Sequence, residues 1–120
     1  MTPISWIDGS GSVTAAAQQL VAVGAVLLPV CGPRRLFLGV LSERDIVKRC
    51  VAESLDPVLV HAGELIDPAD PQYVIRHDQP AGDRVLLVMF REGLDWLPVV
   101  NDDDRLIGRL SLVDVAACPR

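Results

Sequence analysis

Two serine–aspartate pairs are the residues in this chain best suited to hold a small molecule. Ser42 and Asp45 stand three residues apart, Ser111 and Asp114 repeat the spacing, and a glycine (Gly39, Gly108) lies three residues before each serine. An ionised carboxylate only accepts hydrogen bonds, so it suits a cis-diol that presents two donors. The first turn of a helix offers free N–H groups to a phosphate. The same Ser-x-x-Asp spacing is also a capping box, in which serine and carboxylate start a helix by satisfying its first amides. Both roles use the same atoms, and the sequence leaves both open. Gly39 and Gly108 fall inside apolar runs that read as strands, where glycine points to a close approach by another group. A ligand ring and a neighbouring helix explain that approach equally well.

The elements that must position these residues come in two copies. Gly24, Leu28, Pro29, Val30, Gly39, Leu41, Ser42 and Asp45 recur as Gly93, Leu97, Pro98, Val99, Gly108, Leu110, Ser111 and Asp114, all at an offset of 69 residues. A repeat of this kind means one supersecondary unit used twice. In each copy an apolar run (27–30, 96–100), a turn-rich stretch (31–35, 101–105) and a second apolar run (36–41, 106–110) spell a hairpin. Pro29 and Pro98 suggest that the first strand lies near an edge or starts there, since proline cannot donate to a ladder. A helix opens at each Ser-x-x-Asp, and another precedes each hairpin, with Ala16, Leu20 and Val23 at helical spacing in the first copy. The run Val85–Phe90 reads as the matching helix. Residues 4–7 and 73–75 supply a short strand ahead of each unit. The copies are expected at 1–60 and 61–120, with a linker over about 55–71.

Composition limits the partners. The net charge of −5 comes entirely from the second half, which leaves no basic footprint for nucleic acid or an anionic membrane. The longest apolar stretch, Leu20 to Val30, is far shorter than the roughly 20 residues a spanning helix needs. The first residues show no secretory leader, and a cytoplasmic location is expected. Cys31, Cys50 and Cys118 carry no metal or redox spacing and are expected as free thiols. His61 and His77 lack companions at zinc-ligand spacing. Asp102-Asp103-Asp104 lacks the glycine and distal glutamate of a calcium loop and reads as a hairpin turn. No nucleophile triad, Walker loop or catalytic carboxylate pair stands in context, so enzymatic activity is not expected. Val85–Phe90, apolar nearly all round, must bury more than one face and points to a homodimer.

Leu28-Pro29-Val30 with Gly39-Val40-Leu41-Ser42-Glu43-Arg44-Asp45, and Leu97-Pro98-Val99 with Gly108-Arg109-Leu110-Ser111-Leu112-Val113-Asp114, resemble the cystathionine-β-synthase-type (CBS) domain. The resemblance runs from about Ile4 to Ala117. It implies an α/β (α+β) fold of two pseudo-symmetric β-α-β-β-α repeats packed as one Bateman module, commonly a homodimer. It also implies a regulatory role, with AMP, ADP, ATP or S-adenosylmethionine bound between the repeats, no obligatory cofactor, and output to a separate effector protein. By motif, Asp45 and Asp114 would accept from ribose hydroxyls and Ser42 and Ser111 would support ribose or phosphate. Leu28, Gly39, Leu97 and Gly108 would line the clefts. Arg44 lies inside the first motif where the second has Val113, while Arg109 replaces Val40 on the second copy's strand. The first cleft is therefore expected to be the main phosphate-holding one, with Lys48 and Arg49 solvating an exposed helix face. The family also has members that bind no nucleotide, so a ligand-free, homodimeric interaction or structural protein is the alternative.

Overall fold

The computed structural model describes residues 4–66, 74–76 and 95–111. The chain divides into two compact units, Ser5–Gln72 and Met1–Ile4 with Tyr73–Arg120. Each contains a three-stranded sheet, so the fold is α+β. In the first unit β1 (Ile7–Asp8), β2 (Leu27–Cys31) and β3 (Phe37–Ser42) lie in that order. In the second, β4 (Ile75–Arg76), β5 (Trp96–Val100) and β6 (Leu106–Ser111) repeat it.

The two hairpins share one register. Leu27 pairs with Ser42, Leu28 with Leu41, Pro29 with Val40 and Val30 with Gly39, and a bulge then brings Cys31 opposite Phe37. Trp96–Ser111, Leu97–Leu110, Pro98–Arg109, Val99–Gly108 and Val100–Leu106 repeat every step, including the bulge. The leading strands break the 69-residue offset. Ile7 pairs in parallel with Val30, and Ile75 with Val99, so one more residue separates the paired positions in the second unit.

The prolines do not mark an edge. β2 and β5 are the central strands, and Pro29 and Pro98 are fully buried within them. Proline is tolerated there because β1 and β4 are only two residues long, so each central strand is paired on that side at just two positions. The carbonyl of Trp6, just before β1, instead accepts from Gln19 Nε2 at 2.7 Å.

The helix before the first hairpin, α1, spans Val13–Val23. Ser12 caps its start by accepting from the Ala15 amide at 3.0 Å. Gly24 ends it in the left-handed conformation (φ 68°), with the Ala25 amide returning to the Leu20 carbonyl. The buried stripe is Val13, Ala16 and Leu20. Val23, expected on that stripe, lies at the cap and is 48% exposed.

The expected linker is, in its described part, structural. The Val13 and Thr14 amides, unsatisfied at the start of any helix, donate to the carbonyls of Val60 and Pro57. The Ala62 and Gly63 amides donate to Gly11 and Gly9. A 3₁₀ turn, Ala62–Leu65, buries Ala62 and Leu65 in the core formed by Ile7, Val13, Leu20, Leu28, Val30 and Leu41.

After the hairpin, α2 (Glu43–Ile46) passes into a π-helical turn, Val47–Val51, that buries Cys50. Asn101–Arg105 is a hairpin turn, as its composition implied. Asn101 Oδ1 accepts from the Asp103 and Arg105 amides, and Asp104 pairs with Arg76 at 2.7 Å. Val85–Phe90, the helix after Ser111, and Cys118 lie outside the described residues.

Cys31 and Cys50 are buried free thiols. Burial pushes the Cys31 thiol from 9.0 up to about 11, against the opposing pull of Arg35. A raised acid pKa gives stability that is complete below the unfolded value and is lost as pH rises through the folded one. Cys31→Ala is therefore expected to lose less stability than the parent between pH 8.5 and 11. The difference should be about 2 kcal/mol in urea unfolding, and equal losses would show that Cys31 does not titrate this way.

Candidate functional site

The first motif is built where β3 runs into α2. Ser42 Oγ accepts from the Asp45 amide at 3.0 Å, and Asp45 Oδ2 accepts from the Ser42 amide at 3.0 Å. This reciprocal box fixes the carboxylate while using only one of its oxygens. Oδ1 meets no donor among the described residues and is the acceptor a ligand hydroxyl could meet. Both residues are half-buried and Arg44 is exposed beside them.

The box also limits what the helix start can give an anion. Of the four amides that a helix N-terminus leaves free, those of Ser42 and Asp45 are engaged in the box and that of Glu43 donates to the Val26 carbonyl at 3.0 Å. Only the Arg44 amide remains, with the exposed Arg44 side chain beside it.

Strand alternation sorts the other candidates. Leu28, Val30, Gly39 and Leu41 share one face of the first sheet, while Pro29, Val40 and Ser42 share the other. Leu28 is 3% exposed and belongs to the core. Gly39 has φ 152°, and a Cβ there would lie 2.7 Å from Ile66 Cγ2. The close approach signalled by this glycine is therefore made by Ile66, from the return segment. Packing accounts for both Leu28 and Gly39.

In the second unit Leu97 and Gly108 repeat the buried face. Arg109 is exposed on the opposite one, and Ser111 ends β6 across from Trp96. Asp114 and His77 lie outside the described residues. The structure thus brings Ser42, Arg44 and Asp45 together and sets Leu28 and Gly39 on the other face. Arg49, expected to solvate a helix face, donates to the Leu65 carbonyl at 2.7 Å and ties the π-helical turn to the return segment. Lys48 is exposed. Ile66 had no signal in the repeat, because it falls in the stretch between the copies.

A duplicated parallel-then-antiparallel sheet, with a capped helix leaving the last strand of the first copy, defines a protein of two small α+β repeats. The comparisons with known proteins identify the repeat. The CBS domain family model matches residues 62–118. Hypoxic response protein 1 of Mycobacterium tuberculosis is 35% identical over 106 residues, 88% of this chain and 71% of that protein. The chain belongs to the CBS-domain family. A solved structure of Hypoxic Response Protein I with two coordinated zinc ions superposes with a TM-score of 0.74 at 30% identity, covering 97% of this chain and 92% of that one. CBSX2 in complex with AMP superposes with a TM-score of 0.70 at 25% identity, covering 97% and 89%.

Gly39→Ala combines a left-handed backbone with a clash against Ile66, and is expected to destabilise the protein by about 2–4 kcal/mol. Adding Ile66→Ala should recover only part of that, because the backbone term stays. Urea unfolding of both variants checks this, and full recovery in the double variant would mean that the clash alone matters.

Proposed function

We propose that the chain is a regulatory CBS pair that binds an adenosine-containing ligand (AMP, ADP, ATP or S-adenosylmethionine) and passes its state to a separate partner. The carrying observation is the Asp45 carboxylate, held through one oxygen while the other meets no donor among the described residues. That is the acceptor geometry a ribose diol needs. The relative solved with AMP supports the ligand class. Arg44, set in the same turn, is the cation for the ligand's phosphates. Asp45, Ser42 and Arg44 form the principal site, and Ser111, Asp114 and Arg109 form a weaker one. The role is binding, not catalysis. The zinc named with Hypoxic Response Protein I belongs to that protein; among the described residues no group of three or more His, Cys, Asp or Glu side chains is placed to hold a metal. No helix among them is long and apolar enough to cross a membrane.

A ligand-free dimeric role is the second reading, and a specific observation favours a partner face. Val21, Val47, Val51, Val58 and Leu59 are each more than half exposed on the first unit. Exposed aliphatic side chains are the material of an association surface, and a second copy is the proposed occupant. Light scattering at micromolar concentration is expected to give a dimer of the 13.0 kDa chain. A monomer at that concentration would sink the dimer.

Ligand and cap roles separate in one thermal-shift series. Binding to the folded state alone raises the midpoint, by the equivalent of about 2.7 kcal/mol at a hundred times Kd. AMP or ATP is expected to raise the parent's midpoint. Asp45→Ala should lower the ligand-free midpoint, through loss of a cap worth about 1 kcal/mol, and also erase the ligand's increment. A lowered midpoint with the increment intact would assign Asp45 to capping only. Arg44→Ala should weaken ATP about tenfold, the equivalent of ~1.4 kcal/mol, and AMP less. If Asp114→Ala abolishes ATP binding while Asp45→Ala spares it, the principal site lies in the second repeat.

A further inference from the structure

The turns at the tips of the two hairpins are equivalent in register and opposite in character. In the second unit the turn is satisfied from within. The Asn101 carbonyl and side chain take three amides, and of the residues in the turn only Asp104 (φ 59°) is left-handed. Aspartate tolerates that conformation, and Asp104 is held by Arg76. In the first unit the Leu36 amide closes on the Pro33 carbonyl at 3.2 Å around Arg34 (φ 55°) and Arg35 (φ 64°). Two successive left-handed residues make the turn that Asn-Gly fits best, and two side chains with a Cβ are strained there. Both arginines are exposed, and among the described residues neither guanidinium has an ion pair or a hydrogen bond. Leu36 and Leu38, 40% and 39% exposed, continue the hairpin. Strain kept at an exposed site points to a use for the side chains that cause it.

We propose that the Arg34–Arg35 turn, with Leu36 and Leu38, docks an acidic, aliphatic segment of the protein that reads this module. The inference rests on the reading that the module signals to a separate partner, and it names that partner's chemistry. Paired guanidiniums are weakly hydrated and fork onto carboxylates, which makes arginine the favoured basic residue at interfaces. The two leucines supply the apolar complement. The nucleotide is not the occupant. The tip lies at the Cys31–Phe37 end of the hairpin and Ser42 at the other, five strand residues and about 15 Å away. A segment with carboxylates complements this tip, whereas the chain as a whole, at −5, repels acids elsewhere.

The test uses the full chain and a labelled peptide of alternating glutamate and leucine, read by fluorescence anisotropy at low salt. Arg34→Asn with Arg35→Gly is expected to raise the thermal midpoint by about 4–8 °C and to weaken peptide binding at least tenfold. Arg34→Gln with Arg35→Gln should weaken binding equally and leave the midpoint unchanged. Peptide binding that survives in either variant, or an Asn-Gly variant that is no more stable, overturns the proposal. So does displacement of the peptide by inorganic phosphate at equal concentration, which would make the tip a simple anion site. AMP thermal shifts on the same proteins keep the two readings apart. Loss of peptide with the AMP shift retained supports docking, and absence of an AMP shift in the parent counts against the ligand reading alone.

Discussion

The first unit depends on four backbone hydrogen bonds that fasten Pro57–Gly63 across the start of α1. Val13 and Thr14 donate to Val60 and Pro57, while Ala62 and Gly63 donate to Gly11 and Gly9. A helix start buried without partners is costly, and here the partners come from a segment more than forty residues further on. Once fastened, that segment carries Ala62 and Leu65 into the core and lays Ile66 on Gly39. It also offers the Leu65 carbonyl to Arg49. Gly63 fits for the same reason, since a Cβ there would lie 3.1 Å from the Gly9 carbonyl.

Fastening of this kind holds the hairpin, and the hairpin aims the motif. Leu27 opposite Ser42 places the serine at the open end of β2 and β3, where the chain turns directly into α2. The capping box then performs two tasks that are usually set against each other. It stabilises a short helix, and it orients a carboxylate by occupying one oxygen. The cost to ligand chemistry is that the box and Val26 take three of the amides an anion could have used. The exposed Arg44 side chain, present in one repeat and replaced by Val113 in the other, distinguishes the two motifs.

The duplicated hairpin acts as an internal comparison in which backbone register is constant and charge is not. The same pairing and the same bulge support Arg34-Arg35 at one tip and Asp102-Asp103-Asp104 at the other. One turn resolves its conformation internally through Asn101 and Arg76, and the other leaves two strained arginines in solvent. Repeats of this type share a scaffold because register is dictated by alternation and turn length. The tips are free to diverge because they contribute little to the core.

Sequence alone reveals the repeat, the two hairpins and the capped start of α2. Each is encoded by short-range rules: period-two alternation, turn composition and a serine three residues before a carboxylate. It also determined the family, through those same motifs. Tertiary structure alone decided what the motifs' neighbours do. Pro29 sits in a central strand because β1 is only two residues long, a length no local pattern announced. Leu28 and Gly39, adjacent to Ser42 in the motif, face the core, because alternate residues of a strand point to opposite sides. The stretch that read as a linker became part of the first unit because its amides and carbonyls, which carry no sequence signature, found partners at Gly9, Gly11, Val13 and Thr14. A glycine announces only that something comes close. That the something is Ile66 is set by the path of the chain through space.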